Sequence, residues 1–304
     1  MPVTVKDKQG QLVGDLQKGD FRIFADQVEQ KIQNFSADAV PLSAVVLIDN
    51  DLPDKAADQV QKSLVSISAG FGPSDEAAVV SYQQYPQTVS DFSFNNDKLF
   101  TQLQRIELTS HSNAIVNDPT TAGPLINGKP VPNGMGVPIH GSKRPKSDTS
   151  LTDAVYYAAD MLKSRGRDRR KMIFLVSDGS NTDNEHTFDE TMHSLLAYDV
   201  SVYAISVTHD LPIGKSIAQR GAAVMQKYAV ETGGDTFYAA KQSDLERLYA
   251  NVTEEARNQY TLTFSPEDVS NSQDFHQIEV RVRRPNLEVT ARQGYYQSAI
   301  GVGH

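Results

Sequence analysis

Hydrophobic and polar positions follow two different periods along this chain. From Val3 to Phe35 they alternate, with Val3 and Val5, Phe21 and Ile23, and the pair Ile32 and Phe35 marking short half-buried strands. Polar turns at Lys8 to Gly10 and Ala25 to Gln27 join them. Beyond Pro41 the period changes. Ala44 to Ile48 is an unbroken apolar run that stops at Asp49, Asn50 and Asp51, the signature of a strand buried on both faces of a parallel sheet. Met172 to Val176 repeats the design and stops at Ser177, Asp178 and Gly179.

Helical spacing separates these runs. Ala56, Val60, Leu64 and Ile67 share one helix face, as do Leu99, Leu103 and Ile106 after a cap at Asn96-Asp97. Leu151, Val155, Ala158 or Ala159, and Leu162 predict a third helix, with others over Thr187 to Tyr198 and Ala222 to Val230. Ser243 with Glu246 reads as a capping box ahead of Leu245, Leu248, Val252 and Ala256. Further strands are expected at Glu76 to Tyr82, Val89 to Phe94, Val202 to Val207 and Thr236 to Ala239. Strands alternating with helices predict an α/β fold, a Rossmann-like doubly wound, mostly parallel sheet. From Gln259 onward, QYTLTF, HQIEVRVRR and LEVTAR return to strand alternation without helices. The chain therefore divides into 1–38, 39–257 and 258–304.

Between Thr109 and Asp148 no periodicity survives. The stretch is dense in Pro, Gly and Asn, far longer than the usual connection of roughly 4–6 residues, and carries a hairpin signal at Asn127-Gly128. It runs into Thr149, Ser150 and Leu151, so it is expected to overhang whatever Asp49 and Asp178 bind.

Composition narrows the function classes. Net charge is -9 with no long acidic or basic run, which argues against a nucleic-acid partner. The basic stretch Lys163 to Lys171 reads as a solvated turn. No run of about 18 apolar residues predicts a membrane span, and the amino terminus carries no signal-peptide hydrophobic region. The absence of Cys excludes disulfides, a thiolate nucleophile and zinc thiolate sites. The seven His residues lack a ligand spacing, and His186 and His193 read as surface residues. Asp183 and Glu185 read as a solvated loop. Ligands of open α/β sheets settle beyond the carboxyl ends of strands, where Asp49, Asp51 and Asp178 stand. Carboxylates gathered there repel unless a hard cation or a proton lies between them.

The buried strand ending in Asp49, the Thr-x-Leu-x-Asp-Ala start at Thr149 to Ala154 and the Ser-Asp-Gly end of the second strand resemble a von Willebrand factor A-type domain. More narrowly, the chain resembles the bacterial VWFA-related proteins of acidobacterial type. The segments VKDKQGQLVGDLQKGDFRIFADQVEQKIQNFS, ETGGDTFYAAKQSDLERLY and QYTLTFSP carry that likeness, as does FHQIEVRVRRPNLEVTARQGYY. The resemblance implies that both chain ends build a small all-β, sandwich-like module beside the A-type domain. It also implies a metal-ion-dependent adhesion site on Asp49, Asp51, Thr149 and Asp178, with Mg²⁺ expected and Ca²⁺ or Mn²⁺ as alternatives. The motif departs from Asp-x-Ser-x-Ser, because Asp51 and Pro53 replace the two hydroxyls; either Asp51 and water or another residue still complete a divalent site, or the site is degenerate and weak or metal-free.

The function so implied is non-catalytic protein binding in an extracytoplasmic setting, the partner offering an acidic side chain if a metal is held. Contacts are expected at Asn50, Ser150 and Gly179, and at Asn127 and His140 on the long loop. A metal-independent scaffold is the alternative. A haloacid-dehalogenase-type phosphatase would use Asp49 as nucleophile and Asp51 as acid/base with Mg²⁺. Pro53 and the spacing from Asn181 to Asp183 depart from that family's pattern.

Overall fold

Alternation at the amino end produces β1 (Pro2–Asp7), β2 (Phe21–Ala25), β3 (Val28–Gln30) and β4 (Ile32–Ser36). The computed structural model describes residues 1–111, 125–126, 129–130, 149–207, 215–239, 241–265 and 275–296. Asp26 and Gln27 join β2 to β3 with φ of 47° and 69°. Two left-handed residues in a row give a turn whose twist matches that of the flanking strands.

The apolar run becomes β5 (Leu42–Asp49), buried along its whole length. A short β6 (Asp51–Pro53) leads into α1 (Asp54–Ser63) and a 3-10 turn over Leu64–Gly70. Next come β7 (Glu76–Tyr82), β8 (Pro86–Ser93), α2 (Asn96–Arg105) and β9 (Thr109–His111). The two-residue strands β10 (Leu125–Ile126) and β11 (Lys129–Pro130) pair antiparallel; the expected turn residues Asn127 and Gly128 lie outside the described residues. After α3 (Leu151–Lys163) come β12 (Arg170–Ser177), α4 (Phe188–Ala197), β13 (Val200–Ser206), α5 (Lys215–Thr232), β14 (Thr236–Tyr238) and α6 (Gln242–Arg257).

Six of these strands form one sheet in the order β14-β13-β12-β5-β7-β8. It is parallel except at the edge, where β8 runs antiparallel to β7 through an irregular register. β5 and β12 lie side by side at its centre. Alternate residues of β5 serve opposite faces: Ala44, Val46 and Ile48 join the cluster under α1, α2 and α6, while Val45 and Leu47 join the one under α3, α4 and α5. That is why the sequence shows a continuous apolar run instead of alternation. Each fully buried Val, Leu or Ile contributes about 1.5–3 kcal/mol of transfer free energy, so these two clusters hold most of the folding drive.

The chain closes with β15 (Tyr260–Phe264), β16 (Phe275–Val282), β17 (Leu287–Ala291) and β18 (Gly294–Tyr296). They pair with the opening strands in two antiparallel four-stranded sheets, β17-β1-β15-β4 and β18-β16-β2-β3. One hydrophobic cluster takes Val3, Val5, Phe21 and Ile23 from the amino end and Tyr260, Leu262 and Ile278 from the carboxyl end.

Several local expectations need correction. The cap of α2 is Asn95, whose side chain accepts from the Lys98 amide, one residue earlier than the pattern suggested. Ser243 lies inside α6, whose N-cap is Lys241 without a side-chain bond; a capping box forms instead at Thr187 and Glu190 ahead of α4. The basic stretch is no free turn. Arg169 donates to the Ser43 hydroxyl at 2.9 Å and to the Leu42 and Ser74 carbonyls at 2.6 Å each. Arg170 is buried and donates to Ala256 O, Gln259 O and Oε1, and Thr261 Oγ1 at 2.9–3.1 Å. A charge count cannot distinguish a guanidinium in water from one that finds carbonyls at the amino rim of a parallel sheet.

Candidate functional site

Three connections meet at the carboxyl rim of β5, β7 and β12. Asp49 ends β5 and is 0% exposed; Asp51 and Thr149 are 3% and 0% exposed. Asp49 Oδ1 accepts from the Asp51 amide at 2.9 Å, a local turn that sends the chain sideways into β6. Asp49 Oδ2 accepts from Ser177 Oγ at 2.7 Å, with the Tyr82 hydroxyl 3.3 Å away. Tyr82 also donates to Ser177 Oγ at 3.0 Å, so the last residues of three neighbouring strands are tied together under the rim. The Thr149 hydroxyl donates to Asp51 Oδ2 at 3.1 Å, and Asp178 Oδ1 accepts from the Ser180 amide at 2.8 Å.

Burial and the nearby Asp178 carboxylate push Asp49 up to about 8; the Ser177 and Asp51 hydrogen bonds oppose the shift, and the Asp51 charge adds to it. Removing a carboxylate from water beside other carboxylates favours its neutral form. Asp49 therefore holds a proton to a higher pH than an ordinary aspartate does.

The loop that reads as solvated around Asp183 and Glu185 fixes Thr149. The Thr149 amide donates to Thr182 Oγ1 at 2.9 Å, and the Thr182 amide returns to Thr149 O at 2.8 Å. Asn184 Oδ1 accepts from the Thr152 and Asp153 amides at 3.0 and 3.4 Å, capping α3 from another loop, while Asn181 Nδ2 donates to Thr152 Oγ1 at 3.1 Å. Asp153 accepts from the His186 and Glu185 amides at 2.8 Å each, and His186 stacks on Tyr156 with centroids 3.8 Å apart. The signal was present: the polar run Ser180 to Thr187 lies directly after the Asp178 strand.

The expected contact residues divide. Asn50 is half-buried; its Oδ1 accepts from the Thr109 amide at 2.8 Å and its carbonyl from Thr109 Oγ1 at 2.7 Å, so β9 is clamped beside the rim. Ser150 is 2% exposed and bonds to the carbonyls of Gln83 and Gln84, which makes it a support for the β7–β8 turn. That turn carries Tyr85, 62% exposed. Gly179 is buried with φ of 84°, and a Cβ there would lie 2.3 Å from the backbone of Gly221 on α5. Only glycine combines that dihedral with that approach. Asn127 and His140 lie outside the described residues.

Pro53 leaves the four expected ligands one side-chain oxygen short of the Asp-x-Ser-x-Ser pattern, so an octahedral Mg²⁺ there would need water or another residue to complete it. Both Asp49 oxygens are engaged by protein donors, and Pro53 brings no side-chain oxygen. Among the described residues, no three His, Cys, Asp or Glu side chains converge into a metal-holding group.

A solved structure of von Willebrand factor type A from Catenulispora acidiphila matches over 80% of this chain and 52% of its own, at 11% identity and a TM-score of 0.50. The fold is that of a von Willebrand factor A domain. Proximal thread matrix protein 1 from the mussel byssus, in a form with a zinc-occupied MIDAS motif, matches over 73% of this chain at 14% identity and a TM-score of 0.47. This chain covers 49% of that protein. An aerotolerance-related membrane protein from Bacteroides fragilis matches at 13% identity over 71% of this chain and 98% of its own, with a TM-score of 0.46. No protein-family model and no curated protein sequence matches the chain. Among the described residues, no helix is long and apolar enough to cross a membrane.

Proposed function

We propose that this protein is a non-catalytic, adhesion-type protein-binding module whose A domain meets its partner at the carboxyl rim. One observation carries the reading: separate loops bring Asp49, Asp51, Thr149 and Asp178 to the same end of the sheet. That crevice is where open α/β sheets take ligands. The exposed Tyr85 on the neighbouring β7–β8 turn is the kind of aromatic that anchors interfaces.

The adhesion site is read as degenerate. An acidic partner side chain is the expected counterpart only where a cation bridges it to the rim, with Mg²⁺ first and Ca²⁺ or Mn²⁺ as substitutes; the contact is otherwise direct. A nucleophilic role for Asp49 is disfavoured by its complete burial and its two engaged oxygens, so no phosphatase chemistry is assigned. Residues 1–38 and 258–304 are read as one β module around an A domain of 39–257, supported by their shared strands and shared hydrophobic cluster. An extracytoplasmic setting follows from the family resemblance.

The test is capture of proteins from the native organism's envelope, with and without chelator, by wild type, Thr149→Ala and Tyr85→Ala. A specific partner lost with the two rim variants is expected. Equal capture by all three would sink the rim as the contact surface and favour a scaffold working through its sheet edges.

A further inference from the structure

We propose that the rim operates without a divalent cation, its geometry set by a hydrogen-bonded triad of Tyr82, Ser177 and Asp49. The proposal deepens the reading of the rim as a contact surface and rests on it. In a cation-dependent site, the ion gathers oxygen atoms from separate loops that would otherwise repel or drift. Here protein donors already do the gathering. Ser177 Oγ donates to Asp49 Oδ2 at 2.7 Å and accepts from the Gly179 amide at 2.8 Å and the Tyr82 hydroxyl at 3.0 Å. One serine hydroxyl thereby joins β5, β7, β12 and the loop after β12. Asp49 Oδ1 is used by the Asp51 amide.

Two further features fit the same account. Pro53, at the end of β6, stands where the Asp-x-Ser-x-Ser pattern has a hydroxyl, and it brings no side-chain oxygen. The loops are also fastened to each other independently of the carboxylates, through the paired Thr149–Thr182 bonds and the Asn184 cap on α3. A site whose loops are zipped by amides and hydroxyls does not require an ion to assemble. Tyr82 and Ser177 are positioning residues in this scheme; they act through Asp49 and the Gly179 loop.

Calorimetric titration of the full, metal-stripped chain with Mg²⁺, Mn²⁺ and Ca²⁺ tests the proposal against the variant carrying both Asp51→Ser and Pro53→Ser, which restores the Asp-x-Ser-x-Ser pattern. Wild type is expected to show no saturable heat in the millimolar range, and the restored variant a saturable one. Saturable heat in wild type that disappears in Asp178→Ala overturns the proposal. Should the double variant fail to fold, melting of Ser177→Ala and Tyr82→Phe supplies a second measurement. Both are expected to melt lower than wild type by the same amount in chelator and in millimolar Mg²⁺. A loss that Mg²⁺ abolishes would show that an ion can do the triad's work and would overturn it. Neither measurement involves a partner, so a cation bound at Asp178 leaves the contact surface standing, and failed partner capture leaves the titration result standing.

Discussion

The two rims of the central sheet handle buried charge in opposite ways. At the amino rim, buried acids meet cations: Asp75 pairs with Arg257 at 2.5 Å, Glu76 with Arg165 and Arg169 at 3.3 and 3.5 Å, and Glu255 with Lys6 at 2.5 Å. At the carboxyl rim Asp49 is just as buried, but hydroxyls and an amide hold it, and the charges acting on it most are two further carboxylates. A buried ion pair that loses one member leaves an uncompensated charge, whereas a protonated carboxyl in a hydroxyl network has none to lose. The amino rim is therefore held by ion pairs, one of which, Lys6 with Glu255, ties β1 to α6. The shifted acidity of Asp49 at the carboxyl rim is of the kind that gathers at working sites.

Removing Lys6 gives the largest expected break in that contrast. Its ammonium lies between Glu255 Oε2 at 2.5 Å and Asp235 Oδ2 at 2.6 Å, so Lys6→Ala should cost about 3–5 kcal/mol in urea unfolding. Arg170→Ala, which strands the acceptors on Gln259 and Ala256, should cost about 3 kcal/mol. Gly179→Ala should cost about 2 kcal/mol or more, through its positive φ and the approach of Gly221, and should perturb the carboxyl rim alone.

Neutralising Asp49 should act in the other direction. The folded protein keeps the Asp49 proton up to about 8, whereas the unfolded chain releases it near the ordinary value of 3.8. Between those values the folded state binds more protons, so stability is fully present below about 4 and is lost as pH rises through 8. Glu255, pushed up to about 7 mainly by burial, with Lys6 opposing, adds a loss that ends near pH 7. Asp49→Asn should remove the upper part of this decline, melting above wild type at pH 8.5 and close to it at pH 4. A parallel decline in both proteins would contradict the protonated carboxyl. The smallest effect belongs to Asn184→Ala, about 1 kcal/mol for the lost cap on α3, read by thermal melting.

Much of this architecture was legible in the residues themselves. Runs such as Ala44 to Ile48 and Met172 to Val176 are apolar at every position because both faces are covered, and no solvent-exposed strand reads that way. Leu151, Val155, Ala158, Ala159 and Leu162 all proved buried on the face their spacing defined. Carboxylates at the ends of two such strands mark the rim in the sequence itself. Local sequence also carried the hairpin turn at Asp26 and Gln27, although both residues needed a left-handed backbone.

Contacts between residues far apart in the chain were not legible. Tyr82 reads as one more strand aromatic until β7 lies beside β5, and Ser177 as a linker residue until its hydroxyl lies 2.7 Å from a carboxylate 128 positions away. Arg170 reads as solvated until its guanidinium meets carbonyls in the last turn of α6 and just beyond it. Periodicity records which face of an element avoids water, a property each segment carries alone. Hydrogen-bond partners and shifted acidities depend on which segments become neighbours, and only the folded chain decides that.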